Sequence, residues 1–291
     1  MSLLTLLIEP FADYGFMRRA LIATFAVALG SAPIGTLLVL RRMSLVGDAM
    51  AHALLPGAAL GFMLAGFSLW AMSLGGFVAA LSVALAAGWV TRTTAQREDA
   101  SFAAFYLIAL ALGVLLVSTH GSSVDLMHVL FGSILAVDDA ALLLMAGVAS
   151  ISLLALAVVY RPLVVECLDP GFLRSVGGRG TWVHMLFLML VVANLVAGFQ
   201  ALGTLMAVGL MMLPATAARF WAGEVWSLAL AATLIAMLSG FVGLLLSFHA
   251  QWPSGPAIVL VAGGVYLLSL LAGPREGLLW RQFRRAHHRV A

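Results

Sequence analysis

Long apolar stretches, separated by short polar loops, recur along the whole chain. A helix needs about 20 residues to cross the hydrocarbon core of a bilayer, and within a helix each backbone polar group finds its partner inside the same segment. The sequence therefore predicts an all-α integral membrane protein, a polytopic bundle of eight or nine transmembrane helices. The candidate spans are residues 20–40, 44–64, 69–90, 102–118, 139–160, 181–199, 202–217, 225–247 and 256–272.

The composition leaves no room for a separate soluble domain. Of the 291 residues, 63% are hydrophobic and 9% are charged, whereas soluble domains carry about 25% charged residues. We therefore expect a single transmembrane domain over residues 1–291. Within it, residues 1–19 are predicted to form an N-terminal amphipathic segment on the membrane surface, and residues 273–291 a basic cytoplasmic tail.

The arginines predict the orientation of the chain, since all 15 basic residues are arginines and loop arginines accumulate on the cytoplasmic side. Alternating spans put these arginines on one side, which we assign to the cytoplasm: Arg92, Arg97, Arg161, Arg174, Arg179, Arg219, Arg275, Arg281, Arg284, Arg285 and Arg289. For the N-terminal part the arginines do not decide, and we favour two crossings because about 47 residues are available. If residues 44–90 cross twice, the Arg41–Arg42 pair is cytoplasmic and the Arg18–Arg19 pair is outside; a single crossing exchanges the two pairs. The arginines signal topology, and we expect no nucleic-acid partner.

Asp48 and His52 lie four residues apart inside one candidate span, so their side chains project from the same helix face. With two crossings, they lie roughly 10–16 Å from the cytoplasmic edge at a rise of about 1.5 Å per residue. Ionisable residues at such depth mark a pathway or a binding site by default, and a carboxylate with an imidazole can bind a divalent transition metal. We predict a transient metal site; the alternative is a buried Asp–His hydrogen bond, or an Asp48–arginine pair, that holds helices together.

Prolines and polar residues within the spans predict helix breaks or a lined pathway. Pro56 and Gly57 follow His52 by one turn and are expected to break or kink the helix. Broken helices recur at transport sites because they free backbone carbonyls for ligation. Pro214 is expected to interrupt the span 202–217. Asn194 either lines the pathway or makes an interhelical hydrogen bond.

The loop after the span 139–160 carries the signals of a short helix. Asp169 can cap its N-terminus, Pro170 suits the first helical position, and Gly177 can close it. Phe172, Leu173 and Val176, with Arg174 among them, give this helix an apolar face that has nothing of its own to pack against. The helix is either a docking element for a soluble partner or an interfacial helix that rests on lipid.

Two further observations bound the function. His120, Asp125 and His128 in the loop 119–137 either receive a metal or are solvated. The chain has no lysine and hence no G-x-x-x-x-G-K-[ST] phosphate loop, so it is not expected to hydrolyse ATP itself.

Several motifs together resemble the membrane permease subunits of bacterial zinc and manganese uptake ABC transporters. The matching runs are Arg41–Ala49 with His52, Leu55, Pro56 and Gly57; Leu130–Val137; Asp169–Phe172 with Gly177; Leu202–Leu205 with Leu213–Arg219; and Pro253–Pro256. The resemblance follows the chain in order over nearly its whole length. It departs from the family pattern at Ala51, where a serine is usual, and at Gly171, where an acidic residue is common.

The resemblance implies a permease without ATPase activity in the bacterial cytoplasmic (inner) membrane. Two copies of the chain form the pore as a homodimer, with a short outer re-entrant helix at residues 130–137. Cytoplasmic ATP-binding subunits dock on the coupling helix from Asp169 to Gly177, and an extracytoplasmic metal-binding protein delivers the ion. Zinc, manganese or iron passes Asp48 and His52 as substrate, with no permanently bound cofactor.

Two other functions stay open at this stage. The first is a proton-coupled secondary metal carrier in which His52 relays protons. The second is a non-transporting membrane scaffold with a structural Asp48–His52 pair.

Overall fold

The computed structural model describes residues 3–66, 68–119, 137–175, 180–275 and 277–279. Every regular element within these ranges is an α-helix, and eight helices are long and apolar enough to cross a membrane, which confirms the predicted polytopic helical bundle. The helices are α1 (Leu3–Asp13), α2 (Gly15–Leu40), α3 (Ser44–Ala53), α4 (Leu55–Ala65), α5 (Leu69–Thr93), α6 (Glu98–Thr119), α7 (Asp139–Leu168), α8 (Pro170–Ser175), α9 (Gly180–Leu202), α10 (Thr204–Ala218), α11 (Val225–Ala250) and α12 (Ser254–Ala272).

Eight of the nine predicted spans correspond to long helical segments, and the span 202–217 corresponds to the shorter α10 of 15 residues. The first span begins at Gly15, earlier than predicted, because the extended backbone at Tyr14 separates it from α1. α1 packs Phe11 on Phe241 of α11 with ring centroids 5.2 Å apart. The surface location of the N-terminal segment stays a prediction, and the outer re-entrant helix at residues 130–137 lies almost wholly outside the described residues.

Long-range polar contacts give the direction of the first helices. Arg19 Nη1, near the start of α2, lies 3.7 Å from Oδ1 of Asp139, the first residue of α7. At the other end of α2, Arg41 Nη1 is 2.7 Å from Nδ1 of His184 in α9. Nε2 of His184 lies 3.5 Å from Oε1 of Glu98, the first residue of α6. Arg41 and Glu98 are therefore at the same end of the bundle, which we call the arginine-rich end.

These contacts settle the topology that the arginine count left open. Because Arg41 and Glu98 share one end, the chain between them must leave that end and return to it. Residues 45–65 and 69–91 therefore both cross, and the Arg18–Arg19 pair lies at the opposite end. The tilted contact between the rings of Tyr14 and Phe248, with centroids 5.3 Å apart, brings the end of α11 to that opposite end as well.

The second span consists of two helices. α3 ends at Ala53 and α4 begins at Leu55, immediately before Pro56. Proline has no N–H to continue the helix, and its ring crowds the carbonyl four residues earlier, which is that of His52. The turn before α3 is tight as well, because Arg42 adopts a left-handed conformation with φ of 60°.

The interruption predicted at Pro214 is wrong, since α10 continues through this proline and the chain breaks at Gly203, where φ is 83°. Close packing on α2 and a hydrogen bond within α10 accompany this continuity. Gly35 of α2 lies so close to the carbonyl of Met211 that a Cβ at position 35 would collide with it. The hydroxyl of Thr216 donates to the carbonyl of Leu213 at 2.8 Å. Tight packing and side-chain hydrogen bonds of this kind allow a membrane helix to tolerate proline.

The bundle has a buried centre and an apolar surface. α2 and α9 are the most enclosed spans, because 72% and 67% of the residues in their apolar 18-residue stretches are buried. In α6 and α7 the corresponding share is 22%. Six tryptophans of the described part are each more than half exposed and lie near helix ends, as in the aromatic belts of membrane proteins: Trp70, Trp89, Trp182, Trp221, Trp226 and Trp252.

Cysteine labelling tests this topology. In a Cys167→Ser background, we expect Asp13→Cys and Trp252→Cys to react with a membrane-impermeant maleimide from one side of sealed vesicles, and Thr94→Cys only from the other. All three positions are exposed. Reaction of Asp13→Cys and Thr94→Cys from the same side would contradict the two crossings between Arg41 and Glu98.

Candidate functional site

Asp48 and His52 lie on one face of α3, as their spacing predicts. Nε2 of His52 is 3.8 Å from Oδ1 of Asp48, which is longer than a hydrogen bond. The Asp48 side chain is 61% exposed and that of His52 is 32% exposed. The neighbouring Leu45 is 69% exposed on the same face. The two groups are therefore near enough to bind one cation together, and they are not hydrogen-bonded to each other.

α6 provides the opposite wall of the site. The ring of His52 stacks on Tyr106 with centroids 6.1 Å apart. A cavity of about 100 Å³ lies between α3 and α6, and its wall includes Asp48, Asp99, Phe102 and Tyr106. Nδ1 of His52 is buried and has no hydrogen-bond partner among the described residues. The other ring nitrogen, Nε2, is the one on the side of Asp48, so Nε2 is the atom of this imidazole that is placed to bind a metal together with the carboxylate.

The donor set is small. Asp48 offers an anionic oxygen and His52 an imidazole nitrogen, a combination that suits zinc, manganese or iron. The described residues hold no cluster of three or more histidine, cysteine, aspartate or glutamate side chains suited to a metal ion. Two ligands from one chain fit transient binding. Ala51, where the resembling family usually has serine, is 2% exposed in the core and is not part of the cavity wall.

Asp99 and Tyr106 are the residues of this site that sequence reasoning missed. Asp99 follows Glu98 at the start of α6, where acidic residues are common because they favour a helix N-terminus. Tyr106 is a single tyrosine within a long apolar stretch. Only the packing of α6 against α3 brings them to Asp48 and His52, and no local signal in the sequence marks that contact.

Close backbone contacts hold α4 in position after the break. A Cβ at Gly57 would collide with the carbonyl oxygen of Gly75 in α5, and a Cβ at Gly61 would collide with that of Ala71. Pro56 also lies close to α6, since a Cβ at Gly113 would come 3.0 Å from the Pro56 nitrogen. Small residues allow this approach, and the approach supports the break beside His52.

Asn194 makes the contacts of an interhelical hydrogen bond. Its Nδ2 donates to Oγ of Ser152 at 2.7 Å and to the carbonyl of Leu190 at 2.9 Å, and the side chain is 5% exposed. This amide links α9 to α7. Pathway lining by Asn194 and by Pro214 stays a prediction.

The short helix α8 connects α7 to the segment that leads into α9. Oδ1 of Asp169 accepts a hydrogen bond from the backbone N–H of Phe172 at 2.9 Å, as an N-cap residue does. Phe172 is 55% exposed, whereas Leu173 is 9% exposed. Pro170 begins the helix and Arg174 lies within it, whereas Val176 and Gly177 lie outside the described residues. α8 thus presents one aromatic ring outward at the arginine-rich end.

The predicted outer-loop residues His120, Asp125 and His128 lie outside the described residues. Their possible metal role stays a prediction.

Known proteins resemble this chain over almost its whole length. The model of the ABC 3 transport family matches residues 13–273. The chain is 31% identical over 274 residues to the manganese import system permease protein ScaB of Streptococcus parasanguinis, covering 94% of this chain and 96% of the relative. It is 30% identical over 269 residues to the chelated iron transport system membrane protein YfeD of Yersinia pestis, covering 92% and 89%. The structure of PsaBC from Streptococcus pneumoniae in complex with Fab matches with a TM-score of 0.82 at 28% identity, over 94% of this chain and 98% of that chain.

A glycine substitution tests the close contact that supports the break. Gly57→Ala places a methyl group against the Gly75 carbonyl, and such overpacking costs about 1–3 kcal/mol. We expect the melting temperature in detergent to fall by about 5 °C. Gly264→Ala is the matched control, because a Cβ there meets nothing within 4 Å. An unchanged melting temperature in Gly57→Ala would contradict the tight α4–α5 contact.

Proposed function

This chain belongs to the ABC 3 transport family, and from that premise we propose that it is the membrane-spanning subunit of an ATP-driven importer for a divalent transition metal. Relatives in this family are named as permeases or membrane proteins of manganese import and chelated iron transport systems. The chain is thus a multi-pass membrane permease of an ABC metal importer. The finer assignments proposed are zinc, manganese or iron as cargo and the bacterial inner membrane as location.

The observation that carries the proposal is the outward exposure of Asp48 within a membrane span. A carboxylate that faces lipid is costly, by about 2.5–3.5 kcal/mol or more at the bilayer centre, and Asp48 lies towards the arginine-rich end of its span, in one cavity with Asp99. The Asp48 side chain is 61% exposed and lies beside an exposed Leu45. This face must therefore be covered by water or by protein. A second copy of the chain is the occupant that would also supply further metal ligands.

We therefore propose a homodimer with its passage between the two α3 faces. An extracytoplasmic metal-binding protein delivers the ion to the end at which Arg19 lies. Asp48 binds the cation through its carboxylate and His52 through a neutral imidazole. Pro56 has no N–H to offer the His52 carbonyl, which instead faces the backbone N–H of Leu54. Transient binding by few ligands suits a carrier that must release its cargo.

The arginine-rich end is cytoplasmic in this proposal, following the positive-inside rule. Separate ATP-binding subunits dock there on α8, with Phe172 as the exposed apolar contact. ATP binding and hydrolysis alternate the access of the Asp48–His52 site between the two sides of the membrane.

The geometry argues against the scaffold alternative. A structural pair would be expected to form a short hydrogen bond shielded from its surroundings, whereas Asp48 and His52 are 3.8 Å apart and both are partly exposed. The proton-coupled carrier differs from the proposed importer in one measurable property. Its uptake would continue when the partner ATPase is inactive, whereas the importer would stop.

Replacement of the two ligands tests the proposed site. We expect Asp48→Asn and His52→Ala to lower ATP-dependent metal uptake at least about 100-fold, because each substitution removes one ligand from both copies and leaves an incomplete, poorly oriented set of donors. Asp13→Asn, which removes an exposed carboxylate from the end of α1, should transport normally. Uptake is measured with zinc, manganese and iron in vesicles with matched amounts of assembled complex. Normal uptake by both ligand variants would reject the site.

Replacement of the exposed ring on α8 tests the proposed docking. Phe172→Ala should reduce the amount of ATP-binding subunit that purifies with the permease by at least about tenfold, because a buried aromatic contact at an interface is worth about 2 kcal/mol or more. Leu168→Ala removes another exposed apolar side chain, just before α8. This variant should purify with the same amount of ATP-binding subunit as the unaltered permease. Equal amounts of ATP-binding subunit with the two variants would exclude Phe172 as a docking contact.

A further inference from the structure

A cluster of polar and charged side chains, buried except for the 29% exposed Glu98, lies at the arginine-rich end, and none of its members lines the cavity between α3 and α6. It consists of Arg41, Glu98, Glu166 and His184, and we call it the Arg41 cluster. Glu166 is 4% exposed, His184 is 2% exposed and the Arg41 side chain is 10% exposed. Apolar replacement of a buried ion pair is often neutral for stability. Stability alone therefore does not account for charges in this position.

Arg41 is the centre of the cluster. Its Nη1 is 2.7 Å from Nδ1 of His184, its Nη2 is 4.0 Å from Oε1 of Glu166, and its Cζ lies 5.5 Å from the ring centroid of Phe187. A guanidinium only donates hydrogen bonds, so Nδ1 of His184 is the acceptor. The ring proton of neutral His184 is then on Nε2, which faces Oε1 of Glu98 at 3.5 Å. One side chain thus joins the end of α2 to α7 and α9, and through His184 to α6.

One side of the cluster leads to the docking helix α8. Glu166 lies three residues before Asp169, which caps α8, and His184 lies four residues after the start of α9. Glu166 and α8 meet beside Gly180, the first residue of α9. A Cβ there would lie 3.4 Å from Cδ2 of Leu173 in α8 and would collide with Oε2 of Glu166. The buried face of α8 therefore packs next to the Arg41 cluster.

The other side of the cluster leads to both walls of the metal cavity. Arg41 immediately precedes Arg42, whose left-handed turn leads into α3 with Asp48 and His52. Glu98 begins α6, which supplies Tyr106 to the stack on His52 and to the cavity wall. The cluster is therefore joined along the chain to the start of α3 and includes the first residue of α6.

We infer that Arg41 is a positioning residue that couples displacement of α8 to the opening of the cavity between α3 and α6, which Asp48 lines. This inference rests on the proposed function. When an ATP-binding subunit displaces α8, the adjoining ends of α7 and α9 move with it. Arg41 carries that displacement to α3, and His184 carries it through Glu98 to α6. Packed helix ends that hold two discrete arrangements can transmit such a shift.

The test separates ATP hydrolysis from transport. The main variant is the double replacement Arg41→Met with Glu166→Gln, which removes both charges of this pair together. Arg41→Lys is a second variant that keeps the charge, although a single ammonium cannot reproduce the fork of a guanidinium. The control is Ser269→Ala, which removes the buried partner of Trp221 Nε1 at the arginine-rich end, at 2.8 Å.

The assembled complex with its ATP-binding subunits and metal-binding protein is placed in proteoliposomes, and Mn²⁺ is the probe. We expect the double variant to hydrolyse ATP at a rate near that of the unaltered complex while Mn²⁺ carried per ATP falls by about 5-fold to 150-fold. Mn²⁺ affinity without nucleotide should be unchanged. Arg41→Lys should give an intermediate ratio of Mn²⁺ carried to ATP hydrolysed. Ser269→Ala should give the same ratio as the unaltered complex.

An unaltered ratio of Mn²⁺ to ATP in both Arg41 variants would overturn the inference, and so would a proportional loss of ATP hydrolysis and uptake in both. Arg41→Lys carries the test if the double variant does not assemble. Failure of the proposed function is distinguishable, because it would be seen in the unaltered complex as an absence of ATP-dependent uptake of zinc, manganese and iron.

Discussion

A carboxylate in a membrane span must be kept away from lipid, and the proposed mechanism depends on how this chain meets that constraint. Asp48 is 61% exposed in the isolated chain, so whatever covers it lies outside the helices that pack against α3. Exposure to hydrocarbon is costly, whereas a water-filled passage between two copies satisfies the charge and gives a cation its route. Because His52 lies one turn further on the same face, the covering surface coincides with the proposed metal site.

The backbone around this face is built for close approach and for interruption. Glycines on α4 and α5 allow their backbones to touch, and Pro56 ends the regular helix beside His52. At the other end of α3, the left-handed Arg42 separates the site from α2. α3 is therefore a short helix with a turn at each end, flanked by Arg41 and by the α4–α5 contact. A short element between two breaks can move as a unit, which is what alternating access requires.

Local signals were sufficient for much of this architecture, and long-range contacts decided the rest. The spans, the break beside Pro56 and the Asp169 cap follow from residue type and spacing within a few turns. The direction of the first helices does not follow from local signals, because either direction places one of the two arginine pairs outside. The Arg19–Asp139 and Arg41–His184 contacts, each between residues more than 100 positions apart, decide it. The local rule for proline failed at Pro214, where packing against α2 keeps the helix continuous. Asp99 and Tyr106 reach the site only through the packing of α6 on α3.

The position of a bound ion in the assembled complex tests the central claim most directly. Anomalous scattering from manganese, in a complex whose ATP-binding subunits cannot hydrolyse ATP, would locate the cargo without reliance on activity. The account predicts a peak between paired α3 faces, within bonding distance of Asp48 oxygen and His52 nitrogen. A manganese peak elsewhere, with both side chains directed away from a passage between two copies, would contradict it.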